Sequence, residues 1–280
     1  MKTNAFRPAA AFALPELLVV AAVLCVLTVV VVSGPNKKAR DKANRIKCVG
    51  NQKCIGTAFR VFASDNDDKY PLEAMQRGTN SYIVPSGATS AQVNSTNAAA
   101  WQVAQAMWNE LQSPKFLICP SDRARHSSSR VNDFVGLAGI DDPWGRTMTK
   151  TSLGHPDNQD YALSYAFGVA ADESRPLGVL IVDRNVNNVG LAGATIATNV
   201  AFTRTRVLLN DKAGPTQAVW IMGTRIHDLE GNLAYADGSV QQATATVLQM
   251  SLVNAVTAYG ERTPSTGSGA VAHQKEILFP

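Results

Sequence analysis

The stretch AAAFALPELLVVAAVLCVLTVVVVSGP, Ala9 to Pro35, is apolar almost throughout, yet it carries a carboxylate, Glu16, directly after Pro15. From Phe12 to Val32 it offers about 21 residues, which as a helix cover about 30 Å, one hydrocarbon thickness. No other segment is so uniformly apolar, so the sequence predicts a transmembrane helix over residues 12–33 rather than a core helix. A carboxylate near the end of such a helix is costly unless it is paired or reaches the head-group layer. Glu16 is therefore a candidate functional residue.

Local chemistry narrows the kind of N-terminal segment. A cleaved signal peptide needs small residues at a cut beyond the apolar run; Ser33 and Gly34 are there, but Pro35 obstructs the bond. A lipoprotein signal needs a small residue before its cysteine, and Cys25 follows Leu24. Lys2 and Arg7 precede the span, whereas Lys37, Lys38, Arg40, Lys42, Arg45 and Lys47 follow it. Read literally, the charge bias places the following domain on the cytoplasmic side.

Working outward, Gly34-Pro35 interrupts the helix, Asn36 is an N-cap, and residues 34–64 read as its soluble continuation. Ala39, Ala43, Ile46, Ile55, Ala58, Phe59 and Phe62 recur at spacings of three and four, and SDNDDKYP ends the run. That apolar stripe requires a sheet to cover it. The formal charge of +4 over 280 residues comes largely from the basic cluster. With no aromatic residues interleaved, the cluster reads as a solvated face near lipid head groups and not as a nucleic-acid site.

Residues 65–262 read as a globular α+β domain. Residues 78–98 are a polar loop; Trp101, Ala104, Trp108 and Leu111 form one face of a short helix ended by Pro114. KFLICPSD, YALSYAFG and GVLIVDRN read as strands, the last closing at Asp183 in a turn. QAVWIMGTRIHDLEGNLAYADGSVQQ reads as a three-stranded antiparallel meander with turns at Glu230–Asn232 and Asp237-Gly238. A closing helix over 244–259 carries Val247, Leu248, Leu252, Val256 and Tyr259, and residues 263–280 read as a flexible tail. The expected fold class is α+β, a long N-terminal helix packed on an antiparallel β-sheet.

The four cysteines stand at 25, 48, 54 and 119. Cys48 and Cys54 are about 9 Å apart along a helix and on different faces, too far to bridge each other. In an oxidising compartment Cys119 can pair with either; small buried hydrophobes fit all four equally well. Neither a CxxC nor a Cys and His cluster is present in the sequence, so no metal is expected. SDNDDKYP and HDLEGN supply oxygen atoms without the spacing of an EF-hand. Pairing around Gly231 would bring His227 near Asp237, but no nucleophile motif, phosphate loop or dinucleotide fingerprint accompanies them. The expectation is a structural hairpin element, with no catalytic residues and no cofactor. The rival is a hydrolase using His227 and Asp237.

The leader with Lys2 and Arg7, the small residue Ala11, then FALPELLVV with Glu16 five positions in, resembles the class III signal of type IV prepilins and type II secretion pseudopilins. The resemblance implies removal of residues 1–11 by a prepilin peptidase between Ala11 and Phe12, and methylation of the new amino terminus. Ala11 departs from the glycine usual there. It also implies that Glu16 neutralises the terminal ammonium of a neighbouring subunit, a pairing that desolvation makes far stronger in lipid than in water. The implied partners are other subunits, inner-membrane assembly machinery and lipid, with the globular domain in the periplasm. The alternative is a membrane-anchored periplasmic binding or adhesion protein that does not polymerise.

A second resemblance rests on His227 and Asp237-Gly238, an H-x9-DG element, with CPSD at 119–122, Ser164-Tyr165, and CVGNQKCIGTAFRVFASDNDDKYP. Together they look like the prepilin-like proteins of planctomycetes and verrucomicrobia whose C-terminal region is described as processing-associated. Ser239 departs from the residue often found there.

Overall fold

The computed structural model describes residues 14–32, 37–76, 98–122, 125, 131–135, 147–188, 206–208, 218–220, 226–227, 229–259 and 276–278. It divides into two compact units, Met1–Lys42 and Ala43–Pro280.

In the first unit, α1 (Leu14–Val32) is a 19-residue helix with Glu16 in its first turn. Its described side chains, Leu14 to Thr28, are all exposed. Among the described residues no helix is long and apolar enough to cross a membrane. The ends of the expected span, Phe12 and the side chains of Val29 to Val32, lie outside the described residues. So do the leader with Ala11 and the expected break at Pro35.

The second unit is α+β. Helix α2 (Lys37–Ser64), which belongs to this unit from Ala43 onward, buries Cys48, Gln52, Ile55, Phe59 and Phe62, spaced three and four residues apart on one face. The expected stripe holds from Ile55 onward and fails before it: Ile46 is 67% exposed. A cysteine and a glutamine continue the buried face there because their partners are a sulfur and a carboxylate. Asp67 and Asp68 then turn the chain with φ of 55° and 58°, consistent with the expected stop, before α3 (Pro71–Gln76).

The expected 101–111 helix is two helices, α4 (Ala100–Ala106) and α5 (Trp108–Leu111), meeting at buried Met107. KFLICPSD is no strand: Pro114–Leu117 is a 3-10 turn capped by Ser113. Proline at its start fixes a helical φ and removes an N–H that a strand would need.

Strands β1 (Tyr165–Gly168), β2 (Val179–Asp183), β4 (Arg206–Leu208), β6 (Gly231–Tyr235), β7 (Val240–Ala243) and β8 (Glu276–Leu278) make one antiparallel sheet, ordered β4-β8-β1-β2-β6-β7. Alternation divides its side chains between two cores. Tyr165, Phe167 and Leu278 join α2, α4 and α5 on one face; Ala166, Leu233 and Ile277 join Leu248 and Leu252 of α6 (Ala245–Tyr259) on the other. A bulge between Val179 and Ile181 breaks the alternation, so Leu180 and Ile181 both enter the first core.

Two expectations are corrected. The meander is only the β6–β7 hairpin: β5 (Ala218–Trp220) pairs instead with β3 (Val186–Asn188) in a separate two-stranded sheet. Residues 230–232 lead into β6 rather than turning, because Gly231 already pairs with Ala243. The tail is not wholly flexible, since β8 lies between β4 and β1 with Ile277 and Leu278 buried. The alternation of Glu276, Ile277 and Leu278 is too short to mark a strand by itself. Most of the 78–98 loop lies outside the described residues.

Candidate functional site

One face of α2 supplies the first half of the site. Arg45, Cys48 and Gln52 follow at helical spacing, with Asn51 beside them, so four different side chains reach the domain from adjacent turns. Arg45 pairs with Glu230 and donates from Nη2 to the Gly231 carbonyl at 3.3 Å. Cys48 is disulfide-bonded to Cys119, with Cα atoms 5.3 Å apart. Asn51 donates to the Ile118 carbonyl at 3.0 Å. Gln52 Nε2 donates to Asp183 Oδ1 at 2.9 Å. Of the two possible partners for Cys119, the structure joins Cys48; Cys54 is exposed on the other side of the helix, as is Cys25 of α1.

Three consecutive residues at the end of β2 supply the second half. Asp183 accepts from the Asn232 backbone N–H at 2.8 Å and from Asn232 Nδ2 at 3.0 Å. Arg184 donates from Nε and Nη2 to the two carboxylate oxygens of Asp122, both at 2.7 Å. Asn185 Nδ2 donates to the carbonyls of Ile226 and Glu230 at 2.8 and 3.1 Å, holding the segment that carries His227. Ser164 Oγ completes the Asp122 group at 2.9 Å. The CPSD turn closes through the Asp122 N–H on the Cys119 carbonyl, so one turn delivers both the sulfur and the carboxylate.

His227 stands where the two halves meet, held at φ 50° in the left-handed region. Its Nε2 lies 3.4 Å from Cys119 Sγ and 3.8 Å from Asp183 Oδ2. The expected neighbour, Asp237, is at the other end of β6. There Asp237 accepts from the Ser239 N–H at 2.7 Å, and Gly238 takes φ 82° to close the hairpin. The whole of β6 stands between His227 and Asp237. The ten-residue offset of the H-x9-DG element thus measures an entry segment plus one five-residue strand, with the buried His227 side chain at one end and the hairpin turn at the other.

Burial dominates the electrostatics. The Asp183 carboxyl is pushed up to about 7 by complete burial, against hydrogen bonds from Asn232 and Gln52 and the charge of Arg45. Burial raises the Tyr165 phenol as well. Arg125 is lowered to about 10 by burial and by the neighbouring Arg184. The side chains of His227 and Asp183 are 3% and 0% exposed, which gives no opening for a substrate between them. The His227 side chain is buried and Asp237 is exposed at the far end of β6, so the two side chains are not brought together as a hydrolase built on them would need. What the arrangement does chemically is tie α2, the CPSD turn, β2 and the entry to β6 together through charge-assisted bonds and one covalent link.

Sequence reasoning singled out Cys48, Cys119, His227, Asp237 and Gly238, and missed Gln52, Asp122, Asp183, Arg184 and Asn185. The legible signal for Gln52 was a polar residue at a core position of α2, between Cys48 and Ile55. For Asp183 it was a carboxylate ending an all-buried strand. The acidic SDNDDKYP segment places Asp67 and Asp68 on an open cleft of about 490 Å³ with Asp172 and Glu173, and Lys69 and Arg175 line the same cleft. Compared with protein-family models, curated proteins and solved structures, the chain gives no match.

Proposed function

We propose that this chain is a structural pilin- or pseudopilin-like subunit of a type II secretion or type IV pilus-like filament, processed by a prepilin peptidase and N-methylated. The observation that carries the reading is the placement of one carboxylate, Glu16, in the first turn of an otherwise uncharged apolar helix, five residues after the Ala11 to Phe12 bond. A charge so placed is explained by recognition and not by solubility, because every other side chain of α1 is free of charge. The buried clamp supports a scaffold role: it fixes α2 against the sheet and leaves the outer surface to determine contacts. In this reading the apolar helix anchors in the inner membrane, the domain sits in the periplasm, and helices of neighbouring subunits pack together, each Glu16 meeting the methylated Phe12 amino group of the next.

The test is the mass of the mature N-terminus after co-expression of the full chain with a prepilin peptidase. A chain beginning at monomethylated Phe12 is expected. An intact Met1, under conditions where a control prepilin is cut, removes the reading.

A further inference from the structure

We propose that the thiol form of this protein binds one zinc-like divalent cation at Cys48, Cys119 and His227, so that the same residues serve as a metal site when reduced and as a disulfide when oxidised. The two sulfurs and an imidazole nitrogen already lie within 4.8 Å of one another. A tetrahedral zinc with a Zn–S bond of about 2.3 Å and a Zn–N bond of about 2.0 Å sets sulfur and nitrogen about 3.5 Å apart. The Cys119 Sγ to His227 Nε2 distance is 3.4 Å, so that edge of the tetrahedron exists before any ion arrives. For a metal to enter, the bond between the two sulfurs must open.

The fourth corner has a candidate on the same side. Asp183 Oδ2 is 3.8 Å from the same Nε2. Asp183 is held by Asn232 and Gln52, and the His227 segment by Asn185, the kind of outer support that fixes ligand geometry. Four donors then come from α2, the CPSD turn, β2 and the entry to β6, all closed from solvent, as structural zinc sites are and catalytic ones are not.

The states exclude each other. In reduction by a phosphine, the S–S bond breaks, the phosphine is oxidised to its oxide with an oxygen from water, and each sulfur gains a proton. Metal binding then releases the thiol protons to solvent and forms two metal–sulfur bonds. In an oxidising compartment the covalent form prevails; a chain folding before oxidation would take the metal.

The experiment is a Co²⁺ titration of the full chain in detergent, with the disulfide intact and after reduction by tris(2-carboxyethyl)phosphine, followed by Zn²⁺ competition. The reduced chain is expected to take one Co²⁺ with the visible bands of a tetrahedral thiolate complex, lost on adding Zn²⁺, while the oxidised chain shows none. Cys25→Ser and Cys54→Ser retain the bands, Cys119→Ser abolishes them, and Asp183→Asn, which removes the fourth donor, weakens binding by at least about 10-fold. Because Cys119→Ser removes a buried group, near-ultraviolet dichroism is recorded throughout and His227→Gln serves as a second variant, expected to lose the bands with the fold kept. The idea is overturned if the reduced chain shows no bands, if the oxidised chain binds equally, if the bands persist in urea, or if they depend on Cys54.

Discussion

Arg184 forks onto Asp122 with two hydrogen bonds of 2.7 Å, and the two side chains are 5% and 0% exposed. A pair so completely removed from water is stable only while both partners are present, since either charge alone would be left desolvated. It also joins the CPSD turn to the end of β2, one residue from Asp183.

Removing one member should therefore cost more than removing both. Asp122→Ala is expected to destabilise the chain by about 3 to 5 kcal/mol, and Asp122→Leu combined with Arg184→Met by clearly less. Urea unfolding of the three chains measures the difference. Equal losses in the single and double variants would mean that the pair contributes only packing.

Breaking the Cys48–Cys119 link releases a loop of sequence separation 71, which by chain entropy alone weakens the folded state by about 4 kcal/mol. A peptide map without reductant should show the two cysteines joined. Cys119→Ser should lower the unfolding midpoint, while Cys54→Ser, at an exposed position, leaves it unchanged.

Asp183 gives the fold a pH dependence of defined sign. Its folded pKa is raised from 3.8 to about 7, so its contribution to stability is full below the lower value and is lost as pH rises through the upper one. Stability is expected to fall between pH 4 and pH 7, with an upper figure of about 4 kcal/mol from this group. Asp183→Asn, compared with the parent by thermal unfolding at both ends of that window, should flatten the slope. An unchanged slope would assign it to other groups.

Gly231 faces the Trp220 ring so closely that an added Cβ would stand 2.3 to 2.6 Å from its carbons. Gly231→Ala should thus overpack the second core and cost about 1 to 3 kcal/mol. Combining it with Trp220→Leu should recover part of the loss, a coupling that a double-mutant cycle detects.

Glu16→Ala separates a polymerising subunit from a solitary anchor. With peptidase cleavage intact, the variant is expected to lose subunit crosslinking through the apolar helix while remaining in the membrane fraction. Crosslinking at the parental level would favour the anchored, non-polymerising alternative.

The legible parts of the fold were those written in periodicity. Ile55, Ala58, Phe59 and Phe62 announced the inner face of α2, and Leu248 with Leu252 that of α6, because apolar side chains at helical spacing have one physical solution. GVLIVD reads as a strand because it is a short continuous apolar run, and the residues from Leu233 on read as a strand between two turns. The misreadings arose where the decisive partner is distant in sequence. Ile46 is apolar but exposed, and Gln52 is polar but buried, because Asp183 lies opposite Gln52, 131 residues along the chain. His227 and Asp237 do not meet because the expected turn at Glu230–Asn232 is instead the lead-in and first residues of β6, and Gly231 makes room for Trp220 rather than bending the chain. Within the site, Cys48 and Cys119 could be flagged by residue type, whereas Asp122, Arg184 and Asn185 look like ordinary loop residues until the sheet brings them inward.

The position of β8 between β4 and β1 sets the timetable of assembly. Tyr165–Gly168 is synthesised more than a hundred residues before its neighbour on the β4 side, Glu276–Leu278. At ordinary translation rates of about 5 to 20 residues per second, the edge of β1 stays open for seconds, through synthesis of everything in between. During that interval its N–H and C=O groups face any extended segment nearby. Three residues, Glu276 to Leu278, thus act as the closing stitch of the sheet: a chain released short of them would carry the same clamp and helices, but with a ready slot for a foreign strand.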